Sequence, residues 1–160
     1  MKLGVGSNDV AVDFGCGPGF FLIPLAKVAG RAIGVDVSPR MLEKAAEHAK
    51  KKGVTIELLQ SDGIGIQLED SSVDLILLNH VFHEVKDKPR VLGEFHRILK
   101  PSGRLAIVEK TRGSSKPWWI MGPPIVDETE LNREIQQTGL SVAQTIEHGN
   151  DSIVIGQKVD

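Results

Sequence analysis

Short apolar runs rich in β-branched residues recur along this chain, and helix-length segments separate them. The runs are Val10–Phe14, Ala32–Val37, Thr55–Leu59, Val73–Leu78 and Arg104–Val108. Several are apolar without alternation, a pattern that suits strands covered on both faces. Strand and helix alternating in this way predict an α/β domain on a mostly parallel, doubly wound sheet. Ser141–Glu147 and Ser152–Gln157 are further strand candidates, joined by His148, Gly149, Asn150 and Asp151. That link is too short for a helical crossover, so the sheet is expected to end in an antiparallel hairpin.

The intervening segments carry helix signals. Ser38 is an N-cap type, Pro39 suits the first helical position and Gly53 suits the stop. Between them Met41, Leu42, Ala45, Ala46 and Ala49 form one apolar stripe. Asp87 caps a second helix, expected from about Pro89 to Leu99, and Pro101-Ser-Gly103 turns into the next strand. Asp127 with Glu130 opens a short helix that ends near Gly139. A further helix is expected from about Gly19 to Ala29, with Pro24 bending it or marking its first turn.

Composition narrows the class. A length of 160 residues, 41% hydrophobic and 25% charged, fits one globular domain over 1–160. Lys plus Arg is 19 against 21 for Asp plus Glu, a net charge of −2, which argues against a non-specific nucleic-acid binder. The lone cysteine, Cys16, rules out an internal disulfide framework and any multi-cysteine zinc site. No His, Asp and Glu spacing looks like a metal site, so none is expected. No apolar run reaches the ~18 residues of a membrane span, and Met1–Asp9 lacks the apolar core of a signal peptide. The expectation is a cytoplasmic protein.

The chemistry concentrates in Val10-Ala-Val-Asp-Phe-Gly-Cys-Gly-Pro-Gly19. An apolar strand reaches Asp13 and then breaks into Gly15, Gly17 and Gly19. Small residues let the chain turn sharply and let a ligand approach the backbone. The next strand carries Asp36, whose carboxylate suits the two hydroxyls of a ribose. After the third strand come Asp62 and Gly63. Ligands of such sheets bind outside the carboxyl ends of the strands, where these groups converge. The spacing Gly15-x-Gly17-x-Gly19 departs from the G-x-G-x-x-G of dinucleotide sites. A carboxylate just before the loop also opposes a pyrophosphate and suits a cation. S-adenosylmethionine, with an adenosine, a sulfonium and an amino-acid tail, meets those demands better than a nicotinamide dinucleotide.

With those residues in view, the chain resembles the class I S-adenosylmethionine-dependent methyltransferases, in particular the ubiquinone/menaquinone methyltransferase-like small-molecule group. Asp13-Phe-Gly-Cys-Gly-Pro-Gly19 is similar to the family's first motif, and Ile33-Gly-Val-Asp-Val-Ser38 to its second. Ser61-Asp-Gly63 falls where the family contacts adenine. Val73–His80 is similar to the fourth-strand motif and Glu94–Leu105 to the signature before strand five. The resemblance implies a Rossmann-like sheet of order 3-2-1-4-5-7-6 and S-adenosylmethionine as cofactor. It implies cofactor contacts at Asp13, Gly15, Cys16, Gly17, Gly19, Asp36, Val37, Ser61, Asp62, Gly63 and Asn79. Within that loop Cys16 is read as a small packing residue, not a reactive thiol. The lone cysteine also argues against arsenite-type relatives, which need several thiols.

The implied activity is methyl transfer to a small-molecule acceptor. His80 and His83, after the fourth strand, are the candidate general bases, since imidazole titrates near neutrality. Asn79-His-Val-Phe82 lacks both prolines of the Asn-Pro-Pro-Tyr pattern of base-amino methyltransferases. Trp118–Pro124 is expected to wall the acceptor pocket opposite the histidines. Little chain precedes the first strand, so almost no N-terminal cap is expected. The acceptor site is then small, open, or completed by a partner chain or a second copy. A non-catalytic cofactor-binding module that activates a partner is the alternative reading.

Overall fold

A computed structural model describes residues 3–110, 126–149 and 151–159. The described chain folds as β1 (Val10–Phe14), α1 (Leu22–Ala26), β2 (Arg31–Asp36), α2 (Pro39–Lys52), β3 (Glu57–Gln60) and β4 (Val73–Asn79). A 3-10 turn (Phe82–Glu84) follows, then α3 (Lys88–Ile98), β5 (Leu99–Glu109), α4 (Glu128–Gln137), β6 (Leu140–His148) and β7 (Asp151–Lys158). The strands form one seven-stranded sheet in the order β3-β2-β1-β4-β5-β7-β6. β1 pairs in parallel with β2 and β4, and only β7 runs antiparallel, between β5 and β6. The sheet order and the closing hairpin are those expected.

Both faces are covered, which is why the central strands lack alternation. Val12, Phe14, Val35, Ile76 and Leu78 face Val91, Leu92, Phe95 and Ile98 of α3 and Leu131 and Ile135 of α4. Ala11, Ala32, Leu75 and Leu77 face the opposite way, against Leu22 and Leu25 of α1. That second face is built from small residues for a reason. A Cβ on Gly34 would lie 2.6 Å from Leu22 and 2.8 Å from the Cys16 sulfur.

Local signals explain the helix ends. Ser38 Oγ accepts the Met41 N–H at 3.3 Å, and Gly53 closes α2 at φ +65°. Asp127 Oδ1 accepts the N–H groups of Thr129 and Glu130 at 3.0 and 3.1 Å. α1 is shorter than expected, and Pro24 sits in its first turn, where a missing N–H costs nothing. The turn Pro101–Gly103 is absorbed into β5 as a bulge, with Ser102 at φ +61° and a register shift between Val73 and Leu75.

The connection from β3 to β4 contains no helix and is held by side chains. Arg97 on α3 donates to the carbonyls of Leu68 and Ile66, each at 2.9 Å, and to Asp70 at 2.7 Å. Glu94 accepts from Arg97 and from the Ile66 N–H at 3.0 Å. The Arg97 hydrogen bond holds the Glu94 carboxyl below the ordinary glutamate value of 4.5, against a smaller opposing effect of burial. A lowered folded value means stabilisation that is present above pH 4.5 and lost as acid protonates Glu94. Arg97→Met is therefore expected to lower unfolding free energy by about 1–3 kcal/mol at pH 7. Urea denaturation should show that difference shrinking below about pH 4. A difference that does not change with pH would contradict the clamp.

Candidate functional site

Among the described residues, the buried polar side chains Asp13, Glu109 and Ser152 all lie at one end of the sheet. Asp13 precedes the end of β1, Glu109 ends β5, and Ser152 pairs with Glu109 at the start of antiparallel β7. The same end opens into a cavity of about 680 Å³. Its walls come from the loops after β1, β2, β3 and β4.

The glycine loop folds back on β2. The N–H groups of Gly15 and Cys16 both donate to the Val35 carbonyl, at 2.7 and 3.1 Å. Gly15 has φ +72°, and a Cβ there would lie 2.5 Å from the methyls of Val81, which closes over it from the β4 end. Gly17 differs. Its φ is +51°, and a Cβ there would meet no protein atom within 4 Å, so the space in front of it is free for a ligand. Asp36 ties this loop to the next helix. Oδ2 accepts the Gly17 N–H at 2.8 Å, and Oδ1 accepts the Ser38 N–H at 2.9 Å. Each oxygen keeps a lone pair for a ligand.

The structure brings Gly15, Gly17, Asp36, Val37, Ser61 and Asp62 to the cavity wall. Asp13 lies beneath the loop. The Cys16 sulfur packs against Gly34 in the α1 face of the core, where burial and the nearby Asp13 charge push its thiol up to about 12. A raised thiol favours the protonated form, which suits a packing role. Gly19 faces Ala45 of α2, and Gly63 faces Phe14 and Val91, so these glycines admit packing partners. Asn79 is half-buried at the end of β4, paired with Val108. The remaining walls include Phe14, Met41, Ile64 and Val81, with Glu84, Lys86 and Asp87 on the β4 side. Of these, Met41, Ile64 and Val81 carry no motif that marks an apolar wall residue in the sequence.

His80 and His83 are not among the residues that line the cavity; they flank Val81 and Glu84, which are. His80 takes the unusual φ of +55° as the chain leaves β4, and its N–H still donates to Val108 of β5 at 2.9 Å. Its Nε2 is 3.3 Å from Asp151. His83 Nδ1 lies 3.0 and 3.1 Å from the two oxygens of Glu109. Glu109 and Asp151 were not expected as site residues. The only signal was a charge at the end of an apolar strand. The segment Trp118–Pro124 lies outside the described residues.

Asp13 carries the strongest electrostatic burden. Its Oδ2 is buried with no hydrogen-bond partner among the described residues. Burial pushes its carboxyl from 3.8 up to about 7; the Asp36 charge adds to this and the Leu22 N–H opposes it. The native state thus keeps a proton that the unfolded chain releases between those values. The favourable contribution is complete below pH 3.8 and is lost as pH rises to about 7. Asp13→Asn removes the titration. It should match the wild type near pH 4 and exceed its stability at pH 8 by on the order of 2–4 kcal/mol. Urea unfolding at both pH values checks this, and a gap that stays constant would contradict it.

An unpartnered buried carboxylate oxygen, an empty space before Gly17 and the two-sided Asp36 carboxylate all fit a ligand with a cation and a diol. Among the cavity-lining residues Asp36, Asp62, Glu84 and Asp87 outnumber Lys86, which opposes a phosphate-bearing one. The family model described as "Methyltransferase domain" matches residues 12–107. Demethylmenaquinone methyltransferase of Lactobacillus johnsonii is 34% identical over 116 residues, 69% of this chain and 48% of that protein. The 2-phytyl-1,4-naphtoquinone methyltransferase of Nostoc punctiforme is 33% identical over 114 residues, 68% of this chain and 50% of that protein. The chain thus spans about half the length of these curated relatives. A crystal structure of a SAM-dependent methyltransferase from Aquifex aeolicus superposes with a TM-score of 0.86 at 28% identity, covering 99% of this chain and 86% of that one. The glycine loop, the acidic cavity and these likenesses agree: the chain belongs to the methyltransferase domain family, whose fold implies S-adenosylmethionine as its cofactor.

Proposed function

We propose that this chain transfers a methyl group from S-adenosylmethionine to a small-molecule acceptor. The observation that carries the reading is the acidic cavity in which Gly17 is open and Asp36 keeps both oxygens available. In this reading Asp36 accepts the ribose hydroxyls, and the backbone at Gly15 and Gly17 meets the ligand. Ser61 and Asp62 contact the adenine, between the apolar side chains of Val37, Met41 and Ile64. Asp13 lies beneath the loop, where an ammonium or sulfonium would favour its charged form over the protonated one that burial favours. Cys16, Gly19, Gly63 and Asn79 act on the cofactor through the loop and strand ends they shape.

Methyl transfer needs alignment and a dry site more than elaborate chemistry, because the sulfonium already activates the carbon. A side chain contributes where the acceptor must lose a proton, and His80 and His83, which flank the cavity-lining Val81 and Glu84, are the candidates for that role. Reduced quinones and related aromatic diols are the acceptors we favour. The support is the quinone named in the two relatives. Among the described residues no helix is long and apolar enough to cross a membrane.

Two measurements test this. Calorimetry should show S-adenosylmethionine binding to the wild type, weakened by about 1.5–3 kcal/mol in Asp36→Asn, the worth of hydrogen bonds to a charged group. An unchanged affinity in the folded variant removes Asp36 from the site. Methyl-labelled S-adenosylmethionine incubated with a panel of phenols and reduced quinones should yield labelled product. Binding without transfer to any of them favours the partner-activating module instead.

A further inference from the structure

Beside the cavity, one cluster of side chains is built around a buried charge. Glu109 has no exposed surface at the end of β5, and a carboxylate without water needs donors around it. His83 supplies its backbone N–H at 3.2 Å and its ring Nδ1 at 3.0 and 3.1 Å from the two oxygens. A ring nitrogen set between both oxygens of a carboxylate carries the proton; an unprotonated one would set lone pair against lone pair. Nε2 is then the accepting nitrogen of the ring. It lies 3.8 Å from Glu84 Oε1, beyond a direct hydrogen bond, and Glu84 lines the cavity with 73% of its side chain exposed. The fixed nitrogen of His83 is therefore the one against Glu109, and the free one lies on the side of Glu84, whose side chain lines the cavity. His80 is arranged otherwise, with Nε2 already engaged by Asp151 and Nδ1 3.8 Å from Glu109.

We propose that Glu109 is a positioning residue that keeps His83 protonated on Nδ1, and that His83 Nε2 accepts the proton of a phenolic or enolic hydroxyl on the methyl acceptor. This rests on the methyl-transfer reading above. When bound, S-adenosylmethionine supplies a methyl on its sulfonium, and the pair of the broken carbon–sulfur bond stays on sulfur as a neutral thioether. The acceptor provides the electron pair of the new bond, from its oxygen or from a ring carbon conjugated with it. Its hydroxyl proton passes to Nε2. The resulting imidazolium faces Glu109 on one side and the exposed Glu84 on the other, which gives the proton a way to solvent. An acceptor already deprotonated near neutrality, such as a thiolate, gains nothing from this pair. The pair selects hydroxyl-bearing aromatic or enolic acceptors.

The test has two arms on the full chain. In the first, the nitrogen-15 spectrum of His83 is recorded without cofactor. The neutral ring should show a proton on Nδ1 in the wild type and lose that preference in Glu109→Gln. A wild-type ring protonated on Nε2 overturns the positioning role. In the second, naphthalene-1,4-diol, kept reduced, is compared with 4-nitrobenzenethiol, which is a thiolate at neutral pH. His83→Gln and Glu109→Gln should each lower kcat for the diol by about 100-fold or more, with KM and S-adenosylmethionine affinity nearly unchanged. The thiolate should be methylated by the variants within about threefold of the wild type, since it needs no base. Equal losses on both substrates, or no loss on the diol, overturn the base role. Cofactor binding with no turnover of the diol overturns the acceptor class. Failure of the wild type to bind S-adenosylmethionine overturns the methyl-transfer reading itself, while the spectrum still decides whether Glu109 fixes the ring.

Discussion

β1 pairs in parallel with β2 on one side and β4 on the other, and the site depends on that placement. Parallel pairing puts the carboxyl ends of all three strands at the same edge of the sheet. The chain leaves β1 towards β2 by way of α1 on one face, whereas α3 covers the other face between β4 and β5. Loops from neighbouring strands therefore part at the end of β1, and a crevice opens there. Gly15 lets Val81 close over one side of that crevice, and Asp36 holds the other by binding the Gly17 and Ser38 N–H groups.

Charge distribution follows the same geometry. Among the described residues, the two buried acids, Asp13 and Glu109, both lie at the crevice end. They are satisfied differently. Glu109 is met by His83 through three contacts, while Asp13 has an oxygen with no partner among the described residues and a carboxyl pushed up to about 7. A buried carboxylate completed by its own protein orients a neighbour. One left incomplete awaits a positive ligand or a proton. On the proposed reading, the two acids would divide the end of the sheet into a cofactor side and a proton-handling side.

The strands, the closing hairpin and the glycine loop were legible because their signals are local, whereas the order of the strands came only with the family resemblance. An apolar strand, a run of glycines and an acid at the end of the next strand can each be read within a few residues. Gly63 and Gly19 were legible as glycines but not in purpose, since Phe14, Val91 and Ala45, which crowd them, come from elsewhere in the chain. Glu109 was hidden for the same reason. Its partner His83 lies 26 residues earlier, and only the pairing of β4 with β5 brings them together. Asp151 reaches His80 only because β7 runs antiparallel beside β5. Sequence periodicity finds strands, but contacts across strand ends need the register.

On the proposed function, the acidic crevice at the end of β1 holds S-adenosylmethionine with its ribose on Asp36. A crystal structure of the complex tests it most directly. The ribose hydroxyls are expected within hydrogen-bond distance of Asp36, with the sugar stacked over the open face of Gly17. Density for the cofactor elsewhere on the molecule, or a ribose held by other residues while Asp36 keeps only its two backbone partners, would contradict it.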